Sequence, residues 1–129
     1  MRFSLSTAVV LFLAFLVGPV QAQSPVARCA EFVADASANP QMDCRTKLMT
    51  TASRYRTDQS TVLDTLMSGA KRLRKAGVST SILKIMGVTG LTGVVRNGRS
   101  FGTMVDLYIE HRLEDGLSHE AAIEAMQPS

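Results

Sequence analysis

Two histidines and two cysteines are the side chains of this sequence best suited to proton transfer, nucleophilic attack or metal binding. Their spacing decides how much of that chemistry is open to them. His111 and His119 lie in "HRLEDGLSH", among Glu110, Glu114, Asp115 and Glu120. On composition alone, both imidazoles and one carboxylate would suit a metal ion. A zinc hydrolase, however, presents its ligands as HExxH, so that two imidazoles four residues apart share a helix face, and no such spacing occurs here. Ser118-His119-Glu120 does not make a triad, because adjacent residues on one helix point in different directions. The expectation is therefore two surface histidines near helix ends. Nor is a phosphate loop present: "GVTGLTGVVRNGRSFG" carries several glycines but lacks GxxxxGK[ST].

Cys29 and Cys44 are the only cysteines, with fourteen residues between them. That interval fits neither a redox CxxC nor a zinc-ligand pair. Six methionines lie beyond residue 22: Met42, Met49, Met67, Met86, Met104 and Met126. Clustered thioethers suit copper(I), but these are spread along the chain at apolar-stripe positions, where a flexible side chain fills core gaps. The expected reading is a non-enzymatic protein with no catalytic residue, no metal site and no cofactor.

The N-terminus bears on the cysteines. "MRFSLSTAVVLFLAFLVGPVQA" has a cationic start and an uncharged, mostly apolar run from Thr7 to Val20. It ends with small residues, Val20 and Ala22, at the −3 and −1 positions of a cleavage site. That run of 14 residues is short of the ~20 needed to span a bilayer. Residues 1–22 thus read as a signal peptide and 23–129 as a single helical domain, periplasmic or secreted. In an oxidising compartment an even cysteine count reads as a disulfide, here Cys29–Cys44.

Helix signals dominate the chain from residue 23 onward. Ser24-Pro25 and Asn39-Pro40 each pair an N-cap residue with proline at the first helical position. They open "VARCAEFVADA" and "QMDCRTKLMTTASRYR", two helices turning at "SANP". From Ser60 to Ala76, Val62, Leu63, Leu66, Met67, Ala70, Leu73 and Ala76 recur with the period of an amphipathic helix. A short helix is expected over Ser79–Met86. Gly87, Gly90 and Gly93 then argue for a loop or a small hairpin around Asn97-Gly98, since glycine costs a helix about 1 kcal/mol per residue. Ser100 caps a further helix with Phe101, Met104, Val105, Tyr108 and Ile109 inside, joined by Leu113 or Arg112, and Ser118 opens a last one, "HEAAIEAM". The fold class is all-α: a small bundle of five or six short helices, with an N-terminal disulfide-stapled helical hairpin and a Gly-rich loop before the C-terminal helices.

Lys71-Arg72-Leu73-Arg74-Lys75 is the densest charge on the chain. Leu73 belongs to the apolar stripe, and the four cations fall on the last helical turn, where the carbonyl end of the dipole favours them by about 0.3–1 kcal/mol each. They are also a possible basic interaction surface: Lys71, Arg72, Arg74 and Lys75. Charge is segregated more widely. Residues 45–99 carry eleven cations against Asp58 and Asp64, whereas 101–129 carry Arg112 against six carboxylates. Acidic C-terminal helices packed beside the basic middle would neutralise it. Nucleic acid is not an expected partner, because the chain reads as exported, lacks tryptophan, and does not interleave aromatics with its cations.

The stretch "MVDLYIEHRLEDGLSHEAAIEAM", about a fifth of the chain beyond residue 22, loosely resembles the closing helical hairpin of small exported immunity proteins of the Tai type. Those are all-α domains with a signal peptide and disulfides. That family closes with a cysteine near its C-terminus, and "AMQPS" has none, so no residue role is carried over. In size and in having one cysteine pair the chain is also similar to small helical periplasmic acid-stress chaperones, without a shared motif. The expectation is an exported protein that binds another macromolecule, as an immunity, inhibitor or chaperone-like protein does, with another protein as partner. The alternative is association with an anionic membrane surface through the cationic helix end and the apolar segment around 82–95.

Overall fold

Six α-helices and two short 3-10 turns make up the regular structure of the computed structural model, which describes residues 23–128. The signal-peptide reading of residues 1–22 lies outside the described residues. The helices are α1 (Pro25–Phe32), α2 (Pro40–Tyr55), α3 (Gln59–Lys75), α4 (Ile82–Met86), α5 (Phe101–Leu113) and α6 (His119–Met126). No strand occurs among the described residues. The all-α expectation holds, and 87–100 is loop with a single 3-10 turn at Leu91–Gly93, not a hairpin of strands.

Local sequence accounts for most helix ends. The hydroxyls of Ser24, Ser81, Ser100 and Ser118 and the Asp58 carboxylate each accept a backbone N–H of the helical turn they precede. Each satisfies a donor that the helix itself leaves free. Asn39 is the exception to the expected pattern. Pro40 does start α2, but the Asn39 side chain accepts no first-turn N–H; its amide nitrogen lies 4.0 Å from the Met42 sulfur instead. At the other end of α3, Gly77 takes φ +82°. Val78 N–H donates to Leu73 C=O at 2.8 Å and Gly77 N–H to Arg74 C=O at 2.9 Å. This double bond pattern is the Schellman closure, which needs a left-handed residue after the helix.

α1 and α2 form the hairpin, closed by the Cys29–Cys44 disulfide with both cysteines fully buried and Cα atoms 5.9 Å apart. One continuous core joins all six helices, with Leu48, Leu63, Leu66, Leu73, Ile82, Met104 and Tyr108 among its fully enclosed side chains. The α3 stripe packs inward as its period requires, although Met67 is only half-buried and Ala76 is exposed. α3 and α5 cross closely at Gly69. A Cβ there would lie 2.9 Å from Ile109 Cδ1 and 3.1 Å from Val105 Cγ1, so the absent side chain sets the helix separation.

Two expectations need correction. His119 is not a surface histidine: it is 4% exposed and packs edge-on against Tyr108. It opens a helix whose first turn lies over the glycine-rich loop, so the inward face takes the imidazole. Met42 and Met49 are not core methionines, being 61% and 56% exposed. On α2 the inward stripe is Cys44, Leu48, Thr51, Ala52 and Tyr55, and positions 42 and 49, two turns apart, fall on the opposite side.

Candidate functional site

The histidines do not meet in a common site. His111 Nδ1 lies 2.8 Å from Asp115 Oδ2, one helical turn away at the end of α5. His119 belongs to a buried chain of hydrogen bonds. Its Nε2 faces the Thr89 carbonyl at 3.1 Å, so Nε2 carries the hydrogen and donates. The Tyr108 hydroxyl, 2.7 Å from Nδ1, then donates to the bare nitrogen. Tyr108 in turn accepts from the Arg112 guanidinium at 2.7 Å, which also reaches Thr80 Oγ1 at 2.6 Å and the Leu117 carbonyl at 3.0 Å. Both imidazole nitrogens are thereby occupied. Burial pushes the His119 pKa below its ordinary value, and the nearby Lys84 and Arg112 charges act in the same direction, against the Thr89 hydrogen bond and Glu120. Burial also raises the Tyr108 pKa, against the Arg112 charge. The arrangement ties α5, α6 and the loop together. No group of three or more His, Cys, Asp or Glu able to hold a metal ion occurs among the described residues.

Arg72, Arg74 and Lys75 are exposed on the last turn of α3, and Lys71 is exposed just before it. Arg72 pairs with Asp106 of α5 at 3.1 Å, and the Arg74 guanidinium sits 5.8 Å over the Phe32 ring. Lys84 of α4 pairs with Glu120 of α6 at 3.1 Å, and Arg28 of α1 with Asp64 of α3 at 2.7 Å. The acidic α5 and α6 thus meet cations of the middle through the Arg72–Asp106 and Lys84–Glu120 pairs, both exposed and weakened by salt.

A different surface escaped the sequence reading. The four exposed large apolar side chains among the described residues are Met42, Met49, Val88 and Val95. Two lie on the outer face of α2 and two on the glycine-rich loop. The loop is pinned to the end of α2 from both sides. The Arg54 guanidinium donates to Val94 C=O at 2.9 Å, Arg96 donates to Arg54 C=O at 3.0 Å, and the Tyr55 hydroxyl donates to Leu91 C=O at 3.2 Å. Arg96 also lies 5.2 Å over the Tyr55 ring. Around Met49 and Val88 stand Lys47, Arg54 and Arg56, with Arg45 one turn before Met49, and none of the four takes part in an ion pair among the described residues. Val88 is 85% exposed and separates two shallow grooves. One, of about 860 Å³, is lined by Met49, Ser53, Arg54, Arg56 and Thr92; the other, of about 540 Å³, by Asp43, Lys47, Leu83, Lys84 and Thr89. The signal in the sequence was the pairing of Met42 and Met49 seven residues apart, out of phase with Cys44, Leu48 and Ala52.

Most of the apolar segment 82–95 is committed to the interior. Ile82, Leu83, Ile85, Met86, Leu91 and Val94 are buried. Among the described residues no helix is long and apolar enough to cross a membrane. Comparison with models of protein families, with curated proteins and with solved structures finds no match to this chain.

Proposed function

We propose that this is a small exported protein, periplasmic or secreted, that works by binding an acidic protein rather than by catalysis. An immunity, inhibitor or chaperone-like role is of this kind. The observation that carries the reading is the grouping of all four exposed large apolar side chains of the described residues on α2 and its loop, beside cations without carboxylate partners. Apolar groups supply association energy, while surrounding charge speeds encounter and selects the partner. The buried disulfide is in keeping with an oxidising compartment.

Native purification of the tagged protein from the exported fraction tests this. A stoichiometric acidic protein should accompany it and leave as salt is raised, because exposed charges are screened. Recovery as a bare monomer that floats with anionic vesicles would instead favour association with a membrane surface.

A further inference from the structure

Val88 combines near-complete exposure with a turn that is hydrogen-bonded on both sides of it. Gly90 N–H donates to Gly87 C=O at 2.7 Å, and the Thr92 hydroxyl lies 2.7 Å from both the Met86 and the Gly87 carbonyls. Glycine is required at two neighbouring positions. A Cβ on Gly90 would overlap the Lys84 and Ile85 carbonyls, and one on Gly93 would overlap the Val88 carbonyl. From the far side, His119 holds Thr89 C=O at 3.1 Å and the Gln127 amide donates to Gly93 C=O at 3.3 Å. An apolar side chain exposed on a flexible loop can fold away from water. Val88 is held out by a turn with little freedom to do so, and a preorganised group loses little entropy when it docks.

Resting on the binding role proposed above, we infer that Val88 and Met49 form the contact that enters an apolar pocket rimmed by carboxylates on the protein partner. The two residues line the same groove, which no carboxylate lines. Arg54 and Arg56 line it too, and Arg45 lies one turn before Met49 on the exposed side of α2. The adjoining groove contains Asp43, whose carboxylate accepts the Ser37 hydroxyl, and Lys47. Carboxylates on the partner would meet unpaired cations there, whereas a cationic or purely apolar partner would leave them facing like charge or dehydrated. A bilayer fits less well, because the larger apolar side chains of this segment are buried in the core and out of reach of acyl chains.

Photocrosslinking in the source cells tests the assignment, with p-benzoylphenylalanine placed singly at positions 88, 49, 71 and 124. Adducts from 88 and 49 should converge on one acidic exported protein, with none from 124. That protein, purified, should lose at least tenfold in affinity for Val88→Asp and for Arg45→Glu, while both free variants keep the parent Tm within about 1 °C. Adducts to lipid, adducts to a second copy of this chain, no adducts at all, or an unchanged affinity of Val88→Asp overturn the inference. A protein adduct from 71 but not from 88 overturns it as well, yet leaves the binding role standing with the α3 cations as its surface.

Discussion

The Tyr108 hydroxyl lies 2.7 Å from Nδ1 of His119, and because Nε2 must donate to Thr89 C=O, the contact is made to a neutral imidazole. A second proton on Nδ1 would point at a hydroxyl hydrogen, and Tyr108 could yield only by accepting from Arg112 and His119 at once. Burial opposes that proton most, Lys84 and Arg112 oppose it too, and Glu120 favours it.

Stability should therefore depend on pH. The folded His119 pKa lies below the ordinary value of 6.5, so just below that pH the unfolded chain binds more protons than the folded one. Stability is full above pH 6.5 and declines as pH falls from there through the lowered folded value. Urea titrations at pH 7.5, 6.5 and 5.5 should show the difference between the parent and His119→Gln narrowing on acidification. Parallel curves would mean that His119 does not titrate differently on folding.

The loop glycines make a steric prediction with an internal control. Gly90→Ala forces a Cβ against the Lys84 and Ile85 carbonyls and should destabilise by about 1–3 kcal/mol. Gly102 is in α5 with nothing but Ser100 Oγ, at 3.9 Å, near its would-be Cβ. Gly102→Ala should therefore be neutral or stabilise by up to about 1 kcal/mol through helix propensity. Thermal melts of the two variants, moving in opposite directions or not, decide the matter.

The sequence expressed the helices and the hairpin because each rests on local signals: Ser24-Pro25, the α3 stripe, Gly77 after the last cation, Ser100 and Ser118. Those signals act within a few residues of where they are written. The failures are tertiary. Nothing near His119 says that Tyr108 and Thr89, eleven residues before it and thirty residues before it, will enclose it. Ile85 and Met86 read as buried from the short helix they belong to, and they are, but nothing at Val88 says that Leu91 will turn inward and leave Val88 outside. The α3 cations were visible as a cluster, but the cations of α2 and the loop are brought together only by packing. Asn39 shows the limit of local signals themselves, since its proline works and its cap does not.

The disulfide should matter to stability more than any surface pair. Crosslinking Cys29 to Cys44 closes a loop for which chain entropy predicts about 3 kcal/mol. Cys29→Ala/Cys44→Ala should melt more than about 10 °C below the parent, at the 4–8 °C per kcal/mol typical of domains this small. The variant should still be helical near room temperature, because Val33, Leu48 and Tyr55 keep the hairpin on the core. Intact mass should place the parent two hydrogens below the free-thiol value. An equal Tm for parent and variant would mean that the crosslink adds nothing to the packed hairpin.

Thr51 offers a change expected to stabilise. Its side chain is fully buried on the inner face of α2, and Oγ1 has no hydrogen-bond partner among the described residues. A buried hydroxyl left unpaired costs about 1–3 kcal/mol. Valine has nearly the same shape, the same branching at Cβ and no polar atom to satisfy, so Thr51→Val removes that cost without opening a cavity. The variant should raise Tm by several degrees, roughly 4–8 °C per kcal/mol recovered, while Thr51→Ala should gain less because it leaves a void where the methyl group packed. A lower Tm for Thr51→Val would show that Oγ1 has a partner after all, an enclosed water being the smallest that could satisfy it.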